Sequence, residues 1–451
     1  GGALCVAFNF FNKKLFIAVI VFPAVIDYSI CRQIYFYTKS RRINMRKLKI
    51  ADGIHMLTMN VEEILFEGIW ELANGVTLNS YIVQGEKTAI IDGVIGWDGI
   101  PETLYKNLEE IGVDPQNIDY LIVNHMEPDH SGWISNFRKI KDNFTVICTE
   151  KAAKMVASFY GEENIRVVKE GDTLDLGKGK VLSFHPVPNV HWPDTMYTYE
   201  RSTKTLFSCD MFGAFGMMGE HCFDDQLTAE EIDFFEREGI RYYSNVMATF
   251  TASVKKAIEK AKTLELGTIA PGHGPVYRSN PQKIIDDYIR YTKYAEGAGK
   301  NEVTIFWGSM YGMTRKAADY VESILQREGV KYNKLEMPLD TESEMVATVF
   351  KSAAIIIAAP TYEYKLFPPV ATALNEVGRK KITGKAAFRF GSYGWSGGAE
   401  KELAEIVERN RMNWQFIESV EFEGAPKEED LAKVEAGVLA LIEKMRDKVV
   451  E

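Results

Sequence analysis

Two rhythms of apolar and polar residues divide this chain. In residues 54–295 short alternating runs come first, with helical stretches set between them. Residues 80–83 and 88–91 alternate around Gly85-Glu86-Lys87, the pattern of two strands joined by a tight turn. Residues 101–111 carry helical periodicity with a proline in the first turn, where a missing N–H does no harm. A short apolar strand is expected over 119–123, a helix opening at Ser131, and a strand over 144–148. Residues 166–186 read as strands separated by glycine turns, and 196–199 with 205–208 as a second hairpin; 229–238 and 252–264 read as helices. Strands in two runs with helices between them specify an α/β fold of αββα type, two sheets face to face with helices outside.

After Glu296-Gly297-Ala298-Gly299-Lys300-Asn301, a linker by composition, the rhythm becomes a regular β-α-β repeat. Strands are expected over 303–307, 331–336, 353–358, 386–390 and 415–420, with a closing helix over 428–448. Five strands alternating with helices mean a doubly wound parallel sheet, of flavodoxin-like or Rossmann order. The expected domains are thus 45–297 and 302–451.

Residues 1–44 follow neither rhythm. They carry a net charge of +5, which leaves −15 on the remainder. The apolar run over 15–26, interrupted only in kind by Pro23, is shorter than the ~20 residues that span a bilayer. Lys13 and Lys14 ahead of it imitate a signal peptide, but no small-residue cleavage site follows. With Met45-Arg46-Lys47 read as a natural start, an extension foreign to the fold is expected in preference to a peripheral anchor.

Composition narrows the class. At 451 residues the chain exceeds what one hydrophobic core supports. The net charge of −10 argues against nucleic acid and membrane as partners. Five scattered cysteines with no Cys-x-x-Cys pair exclude a zinc ribbon, a rubredoxin-type iron centre and a disulfide framework. Free buried thiols in a cytoplasmic protein are the expectation.

Chemistry concentrates after the strand over 119–123. Asn124-His125-Met126-Glu127-Pro128-Asp129-His130-Ser131-Gly132 sets two imidazoles and two carboxylates within six positions. Each is costly to bury unless paired or metal-bound. Three further pieces share that chemistry: Val190-His191-Trp192-Pro193-Asp194, Phe207-Ser208-Cys209-Asp210 and Ala270-Pro271-Gly272-His273-Gly274-Pro275. Singly, His191 or His273 would be an ordinary core or surface histidine. Four such loops at strand ends can converge on one edge of a sandwich.

The order resembles the metallo-β-lactamase-like fold, whose hydrolases carry His-x-His-x-Asp-His. Here Glu127 stands at the second histidine, and a flavodoxin-like pattern follows. Over about residues 45–451 the chain therefore resembles the flavodiiron proteins (A-type flavoproteins). The resemblance implies one iron on His125, Glu127 and His191, a second on Asp129, His130 and His273, and Asp210 bridging. A carboxylate in place of an imidazole favours iron over zinc. Two metals about 3.5–4 Å apart present open positions to a diatomic molecule. Asp92, in Ile-Ile-Asp-Gly, resembles the early aspartate that supports the metal loop by hydrogen bonds. Tyr242 and Tyr243 lie near where the family has a tyrosine beside the irons. His55, His185 and His221 match no motif and are read as structural.

In the second half, Gly308-Ser309-Met310-Tyr311-Gly312-Met313-Thr314 follows the first strand and opens a helix, aiming backbone N–H groups at an anion. It is neither a P-loop nor Gly-x-Gly-x-x-Gly. Pro360-Thr361-Tyr362-Glu363-Tyr364 and Ser392-Tyr393-Gly394-Trp395-Ser396-Gly397-Gly398 follow the third and fourth strands, where such sheets bind ligands. By resemblance these three loops form an FMN site. The activity implied is passage of electrons from FMN to a di-iron centre that reduces dioxygen to water or nitric oxide to nitrous oxide, with no catalytic residue beyond the metal ligands. The same resemblance implies a head-to-tail homodimer or a dimer of dimers, and a separate electron donor, a rubredoxin or a reduced deazaflavin. The alternative is a zinc-dependent hydrolase of the metallo-β-lactamase superfamily with a flavodoxin-like domain; Glu127 argues against it.

Overall fold

The computed structural model describes residues 4–11, 14–21, 45–62, 65–93 and 102–450, with backbone alone at 4–11, 14–21, Trp70, Glu102 and Thr103. Leu4–Phe11 and Lys14–Val21 pair antiparallel, Leu4 opposite Val21, within a unit separate from Asn44–Glu451. The rest of the leader, and the proline expected to open the first helix, lie outside the described residues.

Alternation in the first half becomes two sheets. The larger has seven strands in the order Ile165–Val167, Thr145–Cys148, Ile118–Ile122, Thr88–Ile91, Val76–Gln84, Ile54–Val61 and Arg46–Ala51. The smaller has five: Thr173–Asp175, Val181–Pro186, Met196–Glu200, Thr205–Cys209 and Thr268–Pro271. Because side chains alternate along a strand, Ile54 and Met56, Tyr81 and Val83, and Ala89 and Ile91 share one face. They meet Leu182, Phe184, Met196, Phe207 and Ala270 from the other sheet in one buried cluster. The strand Val76–Gln84, between Thr88–Ile91 and Ile54–Val61, is buried along nearly its whole length, on both faces. The αββα sandwich follows from that packing.

One expected boundary moves. The helical turn opens at Pro128, not Ser131, and runs Pro128–Ser131 before a second turn at Ile134–Phe137. Proline fits the first helical position, so Asp129 and His130 ride on a rigid turn instead of a loose loop.

The second half is a parallel sheet in the order Lys331–Glu336, Lys300–Trp307, Ser352–Ala358, Ala386–Tyr393 and then Gln415–Phe416 with Val420–Glu423. In chain order this is 2-1-3-4-5, the flavodoxin-type sequence of strands, which excludes the Rossmann order. The fifth strand expected over 415–420 is broken into two short pieces, both paired to Ala386–Tyr393.

The linker is shorter and tighter than its glycines suggest. Lys300 and Asn301 already belong to the sheet. The Nζ of Lys385, fully buried, donates to the carbonyls of Ala298 (2.6 Å), Phe350 (2.6 Å) and Ser352 (2.9 Å). The helix expected over 229–238 also runs on, as Ala229–Tyr242, then a π turn Tyr243–Met247, a 3₁₀ turn Ala248–Phe250 and the helix Thr251–Lys262. The π turn packs on the helix Glu342–Lys351 of the second half. Arg241 Nε donates to Ser343 Oγ (2.9 Å), Asn245 Nδ2 to the Ser343 carbonyl (3.2 Å), and the Tyr243 and Phe350 rings lie 5.5 Å apart.

Candidate metal centre and flavin loops

Four chain segments at the ends of Ile118–Ile122, Val181–Pro186, Thr205–Cys209 and Thr268–Pro271 bring the seven anticipated side chains together. Each segment is held by groups behind it. Asp92 accepts from Asn124 N (2.8 Å) and Asn124 Nδ2 (3.1 Å), while Thr198 Oγ1 donates to Asn124 Oδ1 (2.7 Å). Asn124 thus joins the two sheets immediately before the first ligand candidate. Asn79 Nδ2 donates to the carbonyls of Pro271 (3.0 Å) and Gly274 (2.9 Å), bracketing His273. Cys209 and Phe212 both take positive φ, 51° and 69°, a strained path that turns Asp210 into the site.

The arrangement is two-sided. Asp210 Oδ1 lies 2.8 Å from His130 Nε2 and 3.3 Å from His273 Nε2. Its other oxygen, Oδ2, lies 3.4 Å from His125 Nε2 and 3.3 Å from His191 Nε2. Glu127 Oε2 sits on the second side, 3.1 Å from His191 Nε2 and 3.4 Å from His125 Nε2. Asp129 Oδ2 sits on the first, 3.5 Å from His273 Nε2 and 3.6 Å from His130 Nε2. The ligating atoms of His125, Glu127, His191 and Asp210 lie within 4.8 Å of one another, as do those of Asp129, His130 and His273.

Electrostatics alone would not assemble this. Burial works to deprotonate the imidazoles, yet the facing carboxylates win and hold His130 near about 10 and His191 near about 9. Burial likewise opposes the charge on Glu127, but the facing His125 and His191 imidazoles bring it down to about 2. Several polar atoms remain buried with no hydrogen-bond partner: His125 Nε2, both oxygens of Asp129, Asp210 Oδ2 and His273 Nε2. Unpartnered carboxylate oxygens and imidazole nitrogens converging on two points offer the lone pairs that two cations would take. Four imidazoles and three carboxylates, with no thiolate, suit iron better than zinc. Cys209 lies outside this set, behind His130 beside Asp92.

Tyr242, and not Tyr243, approaches the centre. Its ring is 5.7 Å from that of His273 and its hydroxyl is buried without a partner. Tyr243 packs instead against Tyr288 and Tyr291. His185 pairs with Glu170 and Ser183, and His221 with Glu231, all away from the centre. One supporting residue escaped the sequence reading: Asp194, whose carboxylate accepts from Met126 N at 2.8 Å.

The three loops anticipated for the flavin leave the ends of adjacent strands Lys300–Trp307, Ser352–Ala358 and Ala386–Tyr393. Gly312, at φ 84°, precedes the helix Met313–Arg327, and its N–H donates to Ser309 Oγ (3.1 Å). Thr314 Oγ1 and Ser392 Oγ lie 2.9 Å apart, tying the first loop to the third. Thr361 and Tyr362, expected in a plain loop, form a small hairpin with Lys365–Leu366. Thr361 Oγ1 is buried and unpartnered. Pro360 and Gly394 stand in these loops with Tyr393, Trp395 and Gly397, while Met310, Tyr311 and Met313 complete the first. The fit to a flavin monophosphate is good: backbone N–H groups at one helix start, flanked by two aromatic loops.

Fold and site together define a two-cation oxidoreductase that pairs a metallo-β-lactamase-type sandwich with a flavin-binding sheet. Comparison with known proteins agrees. Residues 76–274 match the ODP family beta lactamase and residues 305–443 match flavodoxin. An anaerobic nitric oxide reductase flavorubredoxin of Vibrio vulnificus is 33% identical over 78% of this chain and 71% of its own length. A nitric oxide reductase of Moorella thermoacetica is 30% identical over 85% of this chain and 95% of its own. Among solved structures, rubredoxin oxygen:oxidoreductase of Desulfovibrio gigas superposes with a TM-score of 0.81 at 26% identity, over 89% of this chain and 99% of that one. A flavo di-iron protein of Thermotoga maritima, in a mutant form, does so at 0.81 and 27%, over 90% of this chain and 100% of that one. The chain belongs to the flavodiiron protein family, whose cofactors are FMN and a pair of irons. The hydrolase alternative is set aside.

Proposed function

We propose that this protein reduces nitric oxide to nitrous oxide, dioxygen to water, or both, with His125, Glu127, His191, Asp210, Asp129, His130 and His273 as the iron ligands. When bound, the flavin supplies electrons and the iron pair supplies the place where a diatomic substrate is reduced. The observation that carries the reading is the division of Asp210, one oxygen toward each group of imidazoles. The residues around it act by position. Asp92, Asn124 and Asn79 keep the ligand segments in register, and the buried setting keeps bulk water away from a reacting gas. The curated relatives are named for nitric oxide and one structural neighbour for oxygen, so both gases belong in the test.

The finer assembly is a head-to-tail homodimer, or a dimer of dimers. Leu65 and Ile69 are 51% and 63% exposed on the hairpin whose Phe66 ring lies 6.3 Å from His273. Tyr311 and Trp395 on the flavin loops are 85% and 77% exposed. A second copy that lays its flavin loops on the first copy's hairpin would cover both patches. The electron donor is a small redox protein of rubredoxin kind or a reduced deazaflavin, and the setting is the cytoplasm. Among the described residues no helix is long and apolar enough to cross a membrane. Anaerobic nitric oxide consumption and aerobic dioxygen consumption, measured with one reduced donor beside metal analysis, test the proposal. Iron with gas reduction supports it; zinc without iron, or iron without gas reduction, ends it.

A further inference from the structure

Behind the metal centre, Asp194 is only 1% exposed although it ends a Trp-Pro-Asp segment whose proline is exposed. One oxygen, Oδ2, accepts from the backbone N–H of Met126 at 2.8 Å and lies 3.4 Å from His125 Nδ1. The other, Oδ1, is buried and has no partner. Its own carbonyl accepts from Thr149 Oγ1 at 2.8 Å, which pins the segment to the sheet. Thr195 Oγ1 stands 3.5 Å from the same imidazole nitrogen. His125 therefore has its Nε2 toward Asp210 and Glu127 and its Nδ1 toward Asp194. The other half of the cage is backed differently. His273 Nδ1 meets the Thr77 carbonyl at 3.0 Å, and His130 has Asp92 and Cys209 behind it.

We propose that Asp194 is a positioning residue for one metal of the pair: its carboxylate keeps the proton of His125 on Nδ1, leaving Nε2 as a lone-pair donor to the cation shared with Glu127 and His191. The inference rests on the di-metal reading. The physical basis is general. A ligating imidazole holds its orientation and tautomer through whatever accepts from its second nitrogen, and loss of that acceptor costs about 10–100-fold in metal affinity. A carboxylate that also anchors the Met126 amide fixes the ring and the ligand segment at once. Because nothing from Asp194 reaches His130 or His273, its effect is confined to one half of the cage.

The test is cobalt(II) titration of the chelator-treated, FMN-containing full chain, followed by the d–d absorption of the bound ion. Wild-type chain that takes up two ions supports the di-metal reading; uptake of none or one sinks that reading by itself. In a His273→Ala background, where the His125 half carries the tighter site, Asp194→Asn is expected to weaken cobalt binding about 10–100-fold. In a His191→Ala background, whose intact site is Asp129, His130 and His273, the same substitution is expected to leave affinity within about twofold. Equal losses in both backgrounds, or no loss in either, overturn the assignment. If the asparagine variant does not fold, Asp194→Glu, which keeps the charge on a longer arm, carries the same expectation of loss confined to the His125 half.

Discussion

Asp210 is the residue on which both halves of the cage depend, and truncating it should empty both. Asp210→Ala is expected to lower bound iron from ~2 per chain to below ~1 with the far-UV spectrum unchanged, as measured by metal analysis and circular dichroism. Protons and a metal cation compete for the cage. With His130 near about 10 and His191 near about 9, both rings are charged at neutral pH, and a cation must displace those protons. Metal uptake is therefore expected to release protons and to strengthen as pH rises toward those values; calorimetry in two buffers of different ionisation heat reads the number released. Cys148 behaves oppositely to a reactive thiol. Burial pushes it up to about 12, so native protein should leave it unmodified by a thiol reagent at pH 8 while unfolded protein reacts. At this scale the cluster of candidate ligands was legible because two imidazoles and two carboxylates crowded after one strand are costly to bury unless paired or metal-bound. Asp194 was not, since Trp-Pro-Asp is ordinary turn composition, and the Thr77 carbonyl behind His273 is backbone and leaves no mark in a sequence.

Among the elements, the turn after Met196–Glu200 depends on a single carboxylate. Glu200 is buried, which alone would raise its pKa. It accepts, however, from Ser202 N (3.1 Å), Ser202 Oγ (2.8 Å), Thr203 N (2.8 Å) and Thr203 Oγ1 (2.6 Å), and these hold it below the usual 4.5. A folded value beneath the unfolded one adds stability above about pH 4.5, lost as pH falls through the folded value. Glu200→Gln should cost about 2 kcal/mol near neutrality and flatten that acid dependence in denaturant melts. Gly312 gives a second test. Its φ of 84° is strained for any side chain, although a Cβ there meets nothing within 4 Å. Gly312→Ala should cost about 1 kcal/mol in the loop and weaken FMN about fivefold in a fluorescence titration of the apoprotein. Period-2 and β-α-β patterns made most of these elements readable. The π turn at Tyr243–Met247 was hidden because its residues look helical; what selects it is tertiary, the reach of Asn245 to Ser343. The break in the fifth strand was hidden as well, since 415–420 reads as one run until pairing with Ala386–Tyr393 divides it.

For the whole molecule, the expected head-to-tail pair makes turnover depend on concentration. Dilution below the dimer dissociation constant should lower gas consumption per flavin, and Ile69→Glu should shift sedimentation toward the single chain while FMN stays bound. The two sheets of the sandwich and the flavodoxin-type sheet were legible as separate rhythms, but their union was not. The glycines of 296–299 suggest a free tether, whereas the buried Lys385 Nζ ties the linker to the helix Glu342–Lys351 and the strand Ser352–Ala358. That lysine bears on how such chains can be recombined. The lysine and its three acceptors all lie after Ala295, so a foreign flavodoxin spliced in there replaces the whole knot, whereas a splice after Asn301 keeps the Ala298 carbonyl and removes its buried donor. Exchange of C-terminal halves between relatives should therefore keep its stability when the cut falls at Ala295 and lose it when the cut falls after Ala298, so the seam between the halves is inherited together with the second half.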